Sequence, residues 1–301
     1  MRLKDHFDWG ARTYVMGILN VTPDSFSGDG LRAGGRDVVE LALAQARSFV
    51  EAGADILDIG GESTRPGATP LDAEEEKRRI LPVIDAVADA LPGTIVSVDT
   101  FKAEVAAAAL DAGARILNDV WGLRADPDLG PLAAERGVPV ILMHNRSKPN
   151  DVVVDRLGGS YLGAEYRHLL DDVAAELTAL ADGAKAAGIP PDQIVLDPGI
   201  GFGKTIPQNL ALINHMDRIC ALGYPVLSGP SRKSFIGRVL GLPVEERVEG
   251  TAAAVALSIA RGADIVRVHD VAAMVRVARM TDAILRTTPA GAASGRADAA
   301  E

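Results

Sequence analysis

Eight short apolar runs, rich in Val, Ile and Leu, recur along the chain at 14–20, 55–59, 94–99, 115–119, 138–144, 193–197, 225–228 and 264–269. Runs this short and this continuously apolar suit strands buried on both faces, as in a parallel sheet. Between them lie Ala-rich segments with helical spacing, clearest at 38–52, 73–90, 102–112, 163–187 and 251–261. Gly53, Gly113, Gly137, Gly188, Gly223 and Gly262 stand just ahead of a following run, where a left-handed residue closes a helix. Eight alternations of strand and helix predict an α/β chain folded as a single-domain (β/α)8 TIM barrel. A doubly wound open sheet shares the periodicity, but the count of eight and the lack of a glycine fingerprint directly after a strand favour the barrel. The catalytic domain is expected over 1–286, with the residues before Tyr14 as a short cap on the barrel bottom. The last fifteen residues, 287–301, are mostly small or polar without apolar periodicity and read as a disordered tail.

Charge narrows the function. Lys and Arg number 31 against 41 Asp and Glu, a formal net charge of −10. A nucleic-acid binder would want a basic face, so none is expected as a partner. An anionic substrate would need a local cluster of cations to overcome the overall field. No apolar stretch approaches the roughly 18 residues of a membrane helix, and no membrane partner is expected. Cys220 is the one cysteine, which suits a reducing cytoplasm.

The informative residues are those at which the strands stop. Strand one ends at Asn20, strand two carries Asp58, strand three ends at Asp99 and strand four at Asn118-Asp119. Strand five ends at His144 and strand six at Asp197. Strand seven runs into Ser231-Arg232-Lys233-Ser234, and strand eight carries Arg267 and His269. In a parallel barrel all these ends meet on one face, where barrel active sites sit. Any one of them would serve equally as an ordinary helix cap, but eight together are hard to explain that way. Asp99, Asn118 and Asp197 suit a flat heterocycle with edge donors and acceptors. Arg65, Lys233, Arg267 and His269 suit phosphate. Asn20 is a neutral oxygen donor for a hard cation such as Mg²⁺. The two loops after strands one and two, 21–30 and 62–70, have the length and turn-rich composition of lids.

Several motifs mislead. Gly203-Lys204-Thr205 resembles the end of a phosphate-binding P-loop, but the glycine that pattern needs is Pro198. Gly28-Asp29-Gly30 begins too far past strand one for a dinucleotide fingerprint. Ser231 and Lys233 lack the Ser-x-x-Lys spacing. No His- or Cys-rich cluster suggests zinc, and Cys220 reads as a small hydrophobe in a helix.

Seven ordered motifs then point to one family. They are Asn20-Val21-Thr22-Pro23-Asp24-Ser25-Phe26-Ser27, Asp58-Ile59-Gly60-Gly61-Glu62-Ser63-Thr64-Arg65-Pro66-Gly67, Ser97-Val98-Asp99-Thr100, Asn118-Asp119-Val120, Asp197-Pro198-Gly199-Ile200-Gly201-Phe202-Gly203-Lys204, Ser231-Arg232-Lys233-Ser234 and Arg267-Val268-His269-Asp270-Val271. Together they resemble dihydropteroate synthase, from about Tyr14 to Arg286. The resemblance implies a transferase of folate biosynthesis that joins 6-hydroxymethyl-7,8-dihydropterin pyrophosphate to 4-aminobenzoate and releases pyrophosphate, leaving 7,8-dihydropteroate.

It also implies roles. Asp99, Asn118, Asp197 and Lys233 look like pterin contacts, with Met143 and Phe202 beside the ring. Thr64, Arg65, Arg267 and His269 look like pyrophosphate contacts, and Asn20 like the Mg²⁺ ligand. Phe26, Pro66, Lys233 and Ser234 look like the aminobenzoate pocket. Lys233, Asp99 and Arg267 are the residues expected to carry catalysis. The chain departs from the family pattern at Ser27-Gly28-Asp29-Gly30 and at Met143-His144-Asn145-Arg146. Other readings are a methyltetrahydrofolate methyltransferase-type barrel, which has no need of Thr64-Arg65, and a non-catalytic pterin-binding paralogue. A homodimer is expected; the Ala-rich 251–260 either faces a second copy or packs on its own barrel.

Overall fold

The computed structural model describes residues 1–22, 38–63, 71–147, 152–155, 157–161 and 165–287. Eight parallel strands form one sheet. In chain order they are β1 (Tyr14–Asn20), β2 (Ile56–Gly60), β3 (Ile95–Asp99), β4 (Ile116–Asp119) and β5 (Val140–Met143), then β8 (Ile194–Asp197), β9 (Leu227–Ser228) and β10 (Ile265–Val268). Between β5 and β8 the chain forms β6 (Val152–Asp155) and β7 (Gly158–Tyr161), an antiparallel hairpin outside the barrel sheet. The sheet runs β8-β5-β4-β3-β2-β1-β10-β9. A parallel bridge between Leu196 and Val226 joins its two ends, so the barrel expected from the sequence closes.

Helices α1 (Val38–Ala52), α2 (Ala73–Ala90), α3 (Ala103–Asp111), α4 (Leu129–Arg136) and α5 (Leu169–Ala186) follow the first five barrel strands in turn. The remainder are α6 (Ile206–Asn214), α7 (Asp217–Cys220), α8 (Ser234–Leu240), α9 (Val248–Ala260) and α10 (Val271–Arg286). The expected helix-ending glycines have positive φ, from 61° at Gly137 to 115° at Gly113. At Gly137 the backbone N–H satisfies the Ala133 and Ala134 carbonyls that end α4, from a left-handed conformation that favours glycine. Cys220 ends α7 half-buried, where burial pushes its thiol up to about 12.

Two expectations change. The helix expected from 163 begins at Leu169. The Arg167 N–H donates to the Asp172 carboxylate at 2.9 Å, so the chain turns there before the helix starts. From Leu169 the buried stripe of Val173, Leu177, Leu180, Ala181 and Ala184 holds α5 to the barrel. The hairpin was not expected, because a segment as rich in glycine as Gly158-Gly159 shows no apolar alternation.

Strand side chains alternate between faces, and that separates two cores. Val15, Leu57, Val96, Leu117, Val140, Ile194 and Val266 pack outward beneath the helices. Tyr14, Met16, Ile56, Ile116, Ile141, Val195, Leu227 and Ile265 fill the barrel interior with Leu3 and Phe7 from the N-terminal segment. The expected bottom cap is therefore present. Leu3 sits in a short turn, Leu3–Asp5, and its N–H donates to Gln193 Oε1 at 3.0 Å. Phe7 stacks on Trp9 at 5.0 Å and meets Tyr14 edge-on at 4.8 Å. The tail expected from 287 lies outside the described residues, save Thr287 itself.

Phe7→Ala removes a ring that plugs this floor, at the end of the barrel away from the polar strand tips. A loss of about 3 kcal/mol in urea unfolding is expected, with turnover per folded molecule unchanged. A loss below about 1 kcal/mol would show that the cap adds little to the core.

Candidate active site

Above the apolar floor, the next residues facing the barrel interior are polar. Asp58 lies two residues past Ile56, Asn118 two past Ile116, Asp197 two past Val195 and Arg267 two past Ile265. A period of two puts each in the interior, at the end where the strands stop. Met143 follows the same rule from Ile141 and is buried in register with Asp197. Asp99 stands beside both Gly60 and Asn118 in the sheet register.

Arg267 ties this layer together. Its Nε donates to Asp58 Oδ2 and its Nη2 to Asp99 Oδ2, each at 2.6 Å. Asn118 Nδ2 donates to the same Asp58 oxygen at 2.9 Å. Asp58 is wholly buried, and its Oδ1 meets no hydrogen-bond partner among the described residues. Arg267 Nη1 likewise makes no hydrogen bond to another described residue. Two carboxylates on one guanidinium leave the triad with a net negative charge. Burial raises the Asp99 carboxyl above its ordinary range; Arg267 opposes that shift and Asp58 adds to it.

The loop after β8 supplies the opposite wall. Asp197 Oδ1 accepts from the Gly199 N–H at 2.7 Å. Burial raises the Asp197 carboxyl, with the charge of Lys233 opposing. Lys233 reaches this loop from the segment after β9, donating to the Ile200 carbonyl. Its Nζ lies 4.4 Å from the centre of the Phe202 ring. Burial draws the Lys233 ammonium down to about 8, against the pull of Asp197.

The segment carrying Lys233 is itself braced. Arg232 has a left-handed backbone, φ 55°, costly for a residue with a long side chain. It is held by ion pairs to Asp270 at 2.8 and 2.5 Å and by its N–H to Thr251 Oγ1 at 3.0 Å. Arg247 adds a donor to the Arg232 carbonyl at 2.9 Å. Ser231 Oγ accepts from the His269 N–H and lies 3.1 Å from His269 Nδ1. Ser234 opens α8 directly after Lys233.

Asn20 ends β1 half-exposed, paired in register with Gly60. Among the described residues no three His, Cys, Asp or Glu side chains gather as a metal cage. Phe26, Thr64, Arg65 and Pro66 lie outside the described residues, as does most of both candidate lid loops. The stem of the second loop is visible. Lys102 pairs with Glu62 and, at 2.5 Å, with buried Glu76, while Arg79 donates to the Gly61 carbonyl at 3.2 Å.

The structure also sorts the strand ends that the sequence left mixed. Asp119 faces away from the mouth and caps its own turn, accepting from the Trp121 and Leu123 N–H groups at 2.8 and 2.6 Å. His144 turns outward to Lys204 and Glu176. Of the two departures from the family pattern, the first lies outside the described residues. At the second, Asn145 donates to the Val120 carbonyl at 3.0 Å, and Arg146 pairs with Glu176 and covers the Tyr166 ring at 4.4 Å. Two residues gain parts that the sequence reading did not give them. Asp58 is the hub between Asn118 and Arg267, and Lys204 is buried behind the β8 loop. The alternation within Ile56-Leu57-Asp58 was the available signal for the first.

Known proteins share this architecture and sequence. Residues 16–269 match the family described as pterin binding enzyme. A dihydropteroate synthase of Bacillus subtilis is 50% identical over 91% of this chain and 89% of its own length. A Clostridium difficile dihydropteroate synthase, solved with pteroic acid, superposes with a TM-score of 0.84 at 42% identity, covering 93% of this chain and all of that one. The Xanthomonas albilineans dihydropteroate synthase solved with 4-aminobenzoic acid gives 0.82 at 45% identity, covering 92% and 94% of the two chains. With a family match across most of its length and a relative identical at half of the aligned positions, this chain belongs to the dihydropteroate synthase family of pterin-binding enzymes.

Proposed function

We propose that this chain condenses 6-hydroxymethyl-7,8-dihydropterin pyrophosphate with 4-aminobenzoate, releasing pyrophosphate and 7,8-dihydropteroate. The observation that carries this reading is the polar ring at the barrel mouth. Asp58, Arg267, Asp99 and Asn118 form one side, and Asp197 and Lys233 the other. Carboxylates accept from the amino and ring N–H groups of a pterin, and Asn118 and Lys233 donate to its acceptors. Met143 and the Phe202 ring flank the heterocycle. The similar structures hold pteroic acid and 4-aminobenzoic acid, and both ligands suit this arrangement.

The chemistry follows from the charges. The C–O bond to the diphosphate breaks first, and its electron pair leaves with pyrophosphate. Asp99 and Asp197 stabilise the positive charge left on the pterin methylene group. The arylamine is a neutral nucleophile, so its nitrogen forms the C–N bond without a strong base and then loses a proton to water. Arg267 and His269, with Thr64 and Arg65 beyond the described residues, receive the diphosphate. Lys233 and Ser234, with Phe26 and Pro66, hold the aminobenzoate.

Asn20 fits a hard cation as a single neutral oxygen donor, which suits an Mg²⁺ that keeps waters and draws its other ligands from phosphate. When bound there, the ion would neutralise charge on the leaving group. The same proposal makes the protein a cytoplasmic homodimer. Leu257 of α9 and Met280, Ile284 and Leu285 of α10 are large exposed apolar side chains that a second copy would cover. Among the described residues no helix is long and apolar enough to cross a membrane.

Mixing the protein with both substrates and Mg²⁺ should release pyrophosphate over many turnovers; omission of the pterin substrate should abolish release, and omission of 4-aminobenzoate should hold it to one equivalent of enzyme or less. Release without 4-aminobenzoate at the full rate would point to a hydrolase instead. Asp58→Asn should leave the barrel folded but raise the KM for the pterin substrate about tenfold, the scale of one lost charged hydrogen bond. An unchanged KM would remove Asp58 from the pocket. Lys233 acts as the cation, and its active form is lost as pH rises through about 8. The kcat/KM for the pterin substrate should therefore fall above that pH, about tenfold per unit for one proton. A flat profile from about pH 7 to 10 would contradict the role.

A further inference from the structure

The sequence places Gly203-Lys204-Thr205 after β8, where it imitates a phosphate-binding loop. The structure turns that lysine the other way. Lys204 is 3% exposed, and its Nζ donates to the Gly199 and Phe202 carbonyls, each at 3.0 Å. The third neighbour is His144 Nδ1 at 3.1 Å. Thr205, instead of holding a metal ion, caps α6: its hydroxyl accepts from the Gln208 N–H, and Gln208 Oε1 accepts from the Thr205 N–H at 2.7 Å. The loop thus wraps its own cation.

The wrapping is tight. Gly199 and Gly203 both have left-handed backbones. A Cβ on Gly199 would overlap the His144 carbonyl, and one on Gly203 would come within 2.6 Å of the Ser147 nitrogen. The carbonyls of the loop then divide into two sets. Those of Gly199 and Phe202 point in at Lys204, and that of Ile200 points out at Lys233. The same few residues carry Asp197 and the Phe202 ring on the pocket side.

Counting protons fixes the state of the pair. His144 Nε2 lies 3.0 Å from Glu176 Oε2, near enough for the carboxylate charge to act on the ring although too bent for a hydrogen bond. A carboxylate there favours a proton on Nε2, which leaves Nδ1 as an acceptor. An ammonium at Lys204 then has its three protons for the three nearest acceptors, Nδ1 and the Gly199 and Phe202 carbonyls, with the His144 carbonyl a longer fourth contact at 3.5 Å. The opposite tautomer would place a bare nitrogen lone pair against a carboxylate. Burial holds the His144 ring neutral, well below its ordinary range. Burial also draws Lys204 down to about 7, with Asp197 and Glu176 opposing and Lys233 and Arg146 adding. Arg146 anchors Glu176 from the far side.

We propose that Lys204 is a positioning residue for the pterin pocket, its buried ammonium clasping the loop that presents Asp197, Phe202 and the Ile200 carbonyl, and that His144 and Glu176 form the relay that orients it. The relay touches no substrate. It acts through the shape of the loop, so it bears directly on pterin affinity and reaches the aminobenzoate half of the site only at second hand, through Lys233. This inference rests on the reading of the site as a pterin pocket.

The test is equilibrium binding of 6-hydroxymethylpterin, which lacks the diphosphate, to the wild type, Lys204→Met and Glu176→Ala. In each variant, shown to be folded by circular dichroism, binding should weaken: about tenfold or more for Lys204→Met and about threefold for Glu176→Ala. The KM for 4-aminobenzoate at saturating pterin substrate should stay within about twofold, a split that a general loss of stability would not produce. Wild-type pterin affinity in either folded variant overturns the relay. If Lys204→Met does not fold, Glu176→Ala decides the matter, since its side chain is 33% exposed on α5 and its loss leaves no cavity in the core. Failure of the wild type to bind the pterin would instead reject the pterin reading of the site, and the relay with it.

Discussion

A barrel strand has two faces and a repeat of two residues, and that repeat decides which side chains reach the barrel mouth. Ile56, Ile116, Ile141, Val195 and Ile265 seal the floor. The next interior residue on each strand, Asp58, Asn118, Met143, Asp197 or Arg267, opens onto the mouth. Leu57, Leu117, Leu142, Leu196 and Val266 lie between them and face the helices. Sliding any of these strands by one residue would exchange pocket for core. The site is therefore rigid for the same reason that the fold is stable.

A polar layer so close to an apolar floor is expensive unless its charges are matched. Asp58, Asp99 and Asp197 stand against Arg267, Lys233 and Lys204, all but Lys233 and Arg267 reduced to a tenth exposure or less. Buried pairs of this kind add little to stability, but loss of one partner is costly because the other is left uncompensated. The arrangement makes better sense as preorganisation. The carboxylates and cations are already in place when a heterocycle with a diphosphate arrives, so little reorganisation is needed during the reaction. The overall charge of −10 works against such a substrate at a distance, which makes the local cations the more important.

Much of this was legible in the chain. Strand tips ending in Asn20, Asp99, Asn118 and Asp197 pointed to one face, and the barrel brings Asp99, Asn118, Asp197, Lys233 and Arg267 to it. What stayed hidden was direction. Asn118 and Asp119 are neighbours with opposite fates, one bonded to Asp58 at the mouth and the other capping a turn outside. Arg267 read as a phosphate ligand; two of its nitrogens in fact hold carboxylates, which makes it the tie between Asp58 and Asp99 at the barrel mouth as well. Lys204 read as an imitation of a phosphate-binding lysine, and composition could not say that its ammonium folds back on its own loop.

By itself the sequence determined the count of barrel strands, their parallel order, the helix-ending glycines and the chemistry available at the mouth. These depend on local periodicity and on residue type, both of which can be read along a line. Only the tertiary structure decided that Asp58 and Asp99 share one guanidinium 168 or more positions away, that the N-terminal Leu3 and Phe7 plug the floor, and that Lys204 meets His144. Those contacts exist because the barrel closes, through Leu196 and Val226, and closure brings together residues whose separation along the chain carries no trace of their distance in space.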